Sequence, residues 1–197
     1  GGRLEIGTSN ELWEWDGTSW TLRPAANARP LASHAMVFDP DRRSLVVVGS
    51  DPTEIGPLLF DGTSWKAAEN TSAPVGSMLS LAENPAAGTL IAIGPPQTPN
   101  GLETWTWNGA FWRQHAGPAP SQRTDFAVAV DSSRGVLVLH GGSDPSGSLL
   151  GETWECNGFA WNQLSIPGPS PRRLHAMAFD ERRGVTVLFG GTDGERD

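Results

Sequence analysis

The sequence has little charge, almost no cysteine and no long apolar run, and each shortage closes off a class of protein. Only 18% of its 197 residues are charged, with 14 Lys and Arg against 22 Asp and Glu and a formal net charge of -8. Gripping a phosphate backbone takes clustered Lys and Arg, so nucleic acid is not an expected partner. The one cysteine, Cys156, excludes internal disulfides and leaves the compartment open. No apolar run approaches the ~18 residues of a membrane-spanning helix, so membrane insertion is not expected. No export signal is visible and the chain opens on Gly1 rather than Met. Localisation therefore stays open between the cell envelope or extracellular space and the cytoplasm. No nucleophile–base pair, convergent carboxylate pair or metal-ligand spacing stands out, so no catalytic residue, cofactor or metal is expected.

What the chain does have is 24 glycines, 16 prolines and nine tryptophans. The Gly and Pro content suits short strands joined by many turns. A tryptophan-flanked Asp-Gly or Asn-Gly recurs four times, at Trp13-Glu14-Trp15-Asp16-Gly17-Thr18-Ser19-Trp20, Phe60-Asp61-Gly62-Thr63-Ser64-Trp65, Trp105-Thr106-Trp107-Asn108-Gly109-Ala110-Phe111-Trp112 and Trp154-Glu155-Cys156-Asn157-Gly158-Phe159-Ala160-Trp161. Asp-Gly or Asn-Gly between alternating apolar residues signals a β-hairpin with a two-residue type I′ turn. Between these hairpins lie paired apolar runs, such as His34-Ala35-Met36-Val37-Phe38-Asp39 with Leu45-Val46-Val47-Val48-Gly49, and His175-Ala176-Met177-Ala178-Phe179-Asp180 with Val185-Thr186-Val187-Leu188-Phe189-Gly190. Runs of this kind read as strands buried on both faces.

Each unit thus has four antiparallel strands, A and B apolar, C and D carrying the tryptophans. A four-stranded unit recurring every ~47 residues, too small to bury its own faces, is the mark of a propeller blade. The blades are expected at 27–70, 72–116, 120–166 and 170–197 plus 1–25, in one domain spanning 1–197. The chain opens on a C–D hairpin and ends on an A–B pair. Joining the two would close a four-bladed ring, a monomer without exposed strand edges.

The pattern Arg-x-x-His-Ala-Met-x-Phe-Asp, a turn, an apolar run ending Phe-Gly-Gly, then Glu-Thr-Trp-x-Trp-Asn-Gly-x-x-Trp resembles the kelch repeat. The resemblance covers nearly the whole chain, best at 172–191 and 103–112 and least at 75–94. It implies an all-β, kelch-like β-propeller of four antiparallel strands per blade. Kelch propellers more often have six or seven blades than four, so a four-repeat segment of a larger propeller stands as the alternative. Kelch-like propellers in some families also carry lyase, isomerase or oxidase activity at the channel mouth.

Tryptophan holds one position on every strand D, at Trp20, Trp65, Trp112 and Trp161, which points to packing between blades rather than a ligand platform. Arg123 and Arg172 stand three residues before strand A, and Glu11, Glu103 and Glu152 just before strand C. The spacing allows Arg123–Glu152 and Arg172–Glu11 pairs within blades, or pairs between neighbouring blades; either would lock blade register. His34 and His175 align with Met78 and Phe126, so they read as packing positions rather than as zinc ligands, which come in threes or fours.

Recognition is expected on the loops that fail to repeat. The B–C and D–A loops share one face and differ between copies, which makes that face the expected binding surface for a protein or carbohydrate partner. Arg23, Asp51, Glu54, His115 and Asp144 are the candidate contacts. The function expected is a non-catalytic binding module, with the kelch-type enzyme as the alternative.

Overall fold

The computed structural model describes residues 3–4, 7–50, 57–68, 80–84, 88–94 and 101–194, and among them there is no helix. Two short strands, β1 (Arg3–Leu4) and β2 (Gly7–Thr8), precede a hairpin of β3 (Leu12–Trp15) and β4 (Trp20–Arg23). Three runs of four follow. The first is β5 (Ala32–Asp39), β6 (Ser44–Ser50), β7 (Leu58–Phe60) and β8 (Trp65–Ala67). The second is β9 (Ser80–Asn84), β10 (Thr89–Gly94), β11 (Glu103–Trp107) and β12 (Trp112–His115), and the third is β13 (Ala127–Asp131), β14 (Val136–His140), β15 (Thr153–Cys156) and β16 (Trp161–Leu164). The pair β17 (Ala176–Asp180) and β18 (Val185–Phe189) comes last. Each run of four makes one antiparallel sheet in chain order.

The turns explain this regularity. At each A–B turn that is described in full, an aspartate ending strand A binds the arginine three residues on, as Asp39–Arg42, Asp131–Arg134 and Asp180–Arg183 do at 2.7–2.9 Å. The same carboxylates accept the backbone N–H of that arginine. The C–D turns correct the sequence reading. Register pairs Trp15 with Trp20, Phe60 with Trp65, Trp107 with Trp112 and Cys156 with Trp161, so each loop has four residues, not two. Only the glycine takes positive φ, between 92° and 100°. The preceding Asp or Asn instead caps the loop, its side-chain oxygen accepting the N–H groups two and three residues on. This Asx geometry makes a second positive-φ residue unnecessary.

Strand alternation then sends side chains into two inter-sheet layers. Val46 and Val48 meet Leu90, Ala92, Trp107 and Trp112 between the first and second sheets. Ile91 and Ile93, on the other face of β10, meet Leu137, Leu139, Cys156 and Trp161 of the third. Fully burying one such aliphatic side chain contributes about 1.5–3 kcal/mol, so the stacking of sheets, not any one sheet, carries the core. The first strands pack successively, β5 against β9, β9 against β13 and β13 against β17.

The expected fourth sheet is not formed. β3–β4 and β17–β18 are separate two-stranded sheets. Succession along the inner strands leaves β17–β18 on the third sheet, while Leu12 of β3 packs with Val47, Leu58, Phe60 and Trp65 of the first. The two halves therefore sit at opposite ends of the array.

Candidate functional site

Antiparallel order puts the ends of strands B and D and the starts of strands A and C on one face, with the long B–C and D–A loops. The third sheet displays this face in full. Ser143 bridges Thr124 on one side and Leu149 on the other, tying the 141–152 loop to the start of the sheet. Asp144 braces the loop tip: its Oδ1 accepts from Ser146 N and Ser148 N at 2.9 Å and from Ser146 Oγ at 2.6 Å. These bonds, Ser146 Oγ first, hold its carboxyl below the usual range.

Beneath the loop lies Arg123, which is fully buried. Its Nη1 donates to Gly141 O at 3.0 Å and meets Glu152 at 3.3 Å, while Nε and Nη2 donate to Ser121 O and Oγ. Burial pushes this guanidinium's pKa down and Glu152 opposes the shift. Arg172 repeats the arrangement one unit later, donating to Ser170 O, Gly190 O and Ser170 Oγ at 3.1, 3.0 and 2.7 Å. It meets no carboxylate among the described residues; Glu11, its expected partner, accepts from Trp13 Nε1. Glu103 likewise accepts from Trp105 Nε1 at 3.1 Å.

The expected contact residues do not converge. Arg23 is exposed on β4 and ion-paired to Glu14 at 2.7 Å. His115 is half-buried at the end of β12, its Nε2 2.7 Å from Thr106 Oγ1 and its ring edge-on to Phe159 of the next sheet. Burial, then Arg113, lowers its pKa. Asp144 is engaged in loop bracing, and Asp51 and Glu54 lie outside the described residues. Of the strand-D tryptophans, Trp65, Trp112 and Trp161 are buried between sheets, and Trp161 Nε1 donates to Thr104 Oγ1 of the preceding sheet at 2.7 Å. Trp20 departs from the expectation and is 63% exposed, β3–β4 being a two-stranded sheet of its own.

Two features escaped the sequence reading. His140, at the end of β14, and His175, just before β17, meet edge to face at 5.7 Å. Burial lowers both pKa values, helped at His140 by His175 and Arg172 and at His175 by Arg172. The second feature is a shallow groove of about 560 Å³ on the long-loop face, walled by Leu149, Leu150 and Glu152 from the B–C loop and by Leu164, Ile166, Pro167 and Pro171 from strand D and its following loop. Ile166 at its rim is 60% exposed. Its sequence signal is the apolar residues Leu149, Leu150 and Ile166 in otherwise polar loops, apart from the charged residues expected as contacts. Among the described residues no three His, Cys, Asp or Glu side chains cluster as metal ligands.

No protein-family model matches the sequence, and no curated protein sequence matches it either. A solved structure described as "Structure of YjhT" is similar in fold, with a TM-score of 0.61 at 13% identity over 92% of this chain and 68% of that one. With the stacked antiparallel sheets, this likeness fits a β-propeller-like fold. It speaks to fold alone.

Proposed function

We propose that the chain is a kelch-like β-propeller module that binds a protein segment through its long-loop face, without catalysis. The observation that carries this reading is the groove between 149–153 and 163–171, where Leu149, Leu150, Leu164 and exposed Ile166 stand among Glu152, Thr153 and Gln163. Exposed apolar side chains held on a braced scaffold suit a partner chain that contributes apolar anchors. A glycan would ask instead for an aromatic platform, and none lines this groove. Arg123 and Arg172 are engaged with backbone carbonyls beside His140 and His175 rather than directed into a cavity, which favours binding over the enzyme alternative. The kelch reading itself rests on the repeat pattern, with the Asp-x-x-Arg and Asx-capped turns recurring in step.

The test is a displayed peptide library screened alongside a glycan array. Selected peptides should lose at least tenfold in affinity to Ile166→Asp and to Leu149→Asp. Peptide binding indifferent to both changes, or binding confined to glycans, defeats the proposal.

A further inference from the structure

The two histidines that meet at the edge of β17 are buried, His140 to 2% exposure and His175 to 7%. His140 Nδ1 lies 3.0 Å from Thr153 Oγ1, while its Nε2 and both ring nitrogens of His175 make no hydrogen bond. The Ser170 carbonyl faces the His140 ring and the His140 carbonyl faces the His175 ring, each outside hydrogen-bonding geometry. Packing does not ask for imidazole at either place. Phe189 holds the place of His140 one repeat later, and Phe126 holds that of His175 one repeat earlier.

The pair lies under the groove of the long-loop face. Thr153, the partner of His140, lines that groove together with Glu152. The opposite wall runs over the pair: a Cβ at Gly168 would stand 3.8 Å from Thr153 Oγ1 and 3.9 Å from His140 Cε1. A Cβ at Gly141, next to His140, would collide with His175 Cε1 and the Arg172 carbonyl, so the stack has no slack. Yet the wall itself is lightly tied. Pro167, Pro169 and Pro171 have no N–H to give. Ser170 is held by the Arg172 side chain, Nε to its carbonyl at 3.1 Å and Nη2 to its hydroxyl at 2.7 Å.

Charge around the pair is mostly of one sign. Arg172 acts on both rings, and Arg123 reaches Gly141 O beside His140. Among the described residues Glu152 is the carboxylate that faces His140, and Arg123 already pairs with it at 3.3 Å. Arg173, two residues before His175, is offset by Asp125 at 4.0 Å. A proton added to either ring therefore meets the other imidazole and Arg172 with no unengaged carboxylate at hand.

We propose that the His140–His175 pair is a pH gate for the groove: neutral, it seats the 165–171 wall against Thr153, and protonated, it lifts that wall and releases the bound segment. An ordinary imidazole titrates near pH 6.5. Burial and then the neighbouring cations hold both rings below that value. The seated wall is thus intact above pH 6.5 and loosens as pH falls from there. This gate regulates the groove read above as a peptide site and rests on that reading for its purpose, but its movement shows without any ligand.

The first experiment is an amide NMR titration of the whole chain from pH 7.5 to 5.5. Amides of Ile166, Gly168 and Ser170 should shift with the midpoint of the His140 and His175 ring protons. In a double variant, His140→Phe with His175→Phe, those shifts should shrink at least fivefold. Wall amides that stay still in the unmodified protein, or that move equally in the double variant, overturn the gate. The second experiment takes a peptide selected from the displayed library at pH 7.5. Its affinity should fall at least tenfold at pH 5.5, and less than twofold in the double variant. Equal affinity at both pH values defeats the gate and leaves the peptide site standing. A wall that moves with the histidines while no peptide is selected upholds the switch and defeats the peptide site.

Discussion

The third sheet and the two-stranded pairs β17–β18 and β3–β4 are built from the same repeat, yet they differ in nearly every measure of packing. Trp161 is 6% exposed and Trp20 is 63%. Arg123 has Glu152, while Arg172 has the equivalent backbone acceptors and, among the described residues, no carboxylate. Val138 is buried and its counterpart Val187 is exposed. Position in the repeat therefore specifies what a side chain can do, and the presence of neighbouring sheets decides whether it does it. The stability of such an array is close to a sum of nearest-neighbour interfaces, and among the described residues each terminal pair packs on the sheet at one side of it.

The sharpest way to break this comparison is to truncate the same tryptophan in both places. Trp161→Ala opens a cavity between the second and third sheets and strands Thr104 Oγ1, so urea titration should register a loss of about 3–5 kcal/mol. Trp20→Ala removes an exposed ring and should cost under about 1 kcal/mol in dilute protein. Equal losses would mean that both rings are buried in solution. Next in size is the arginine pair. Arg123→Met leaves Gly141 O and Ser121 unpaired and Glu152 without its cation, an expected loss of about 2 kcal/mol. Arg172→Met gives up exposed hydrogen bonds only and should cost less than half of that.

How far the sequence discloses these differences depends on the range over which each residue acts. The hairpins, the strand order and the Asp-x-x-Arg turns rest on residues within about a dozen positions of one another, and the repeat exposes them. The four-residue length of the C–D loops was harder to read, because Asp-Gly suits a type I′ turn equally well and only the following Thr-Ser or its equivalent lets the Asx cap form. That β3–β4 and β17–β18 stay separate sheets depends on how successive sheets pack, which no local pattern carries. The same holds for the site: Arg123 and Glu152 were visible by recurrence, but the His140–His175 contact and the Leu149–Ile166 groove join residues that do not recur.

A weaker effect separates the two ends by pH. His140, at the boundary between the third sheet and β17–β18, has its pKa below the ordinary 6.5, chiefly through burial and then through His175 and Arg172, with Glu152 acting oppositely. A histidine depressed in the folded state favours folding while neutral. Its contribution is intact above pH 6.5 and is lost as pH falls from there toward the folded-state pKa. The melting temperature should drop between pH 7.5 and 5.5, and His140→Phe, which places the residue found at 189, should flatten that drop. A pH profile unchanged by the substitution would remove His140 as its source.

The smallest effect distinguishes a loop tip from the sheet below it. Asp144 braces residues 145–148 by hydrogen bonds within its own loop, whereas the strands beneath are fixed by Arg123 and by the inter-sheet core. Asp144→Ala should leave the melting temperature nearly unchanged but speed amide exchange at Ser146, Gly147 and Ser148. Exchange in β14 and β15 should not move. If β14 also loses protection, the loop is part of the sheet's cooperative unit, and the boundary between braced loop and packed sheet must be drawn further out.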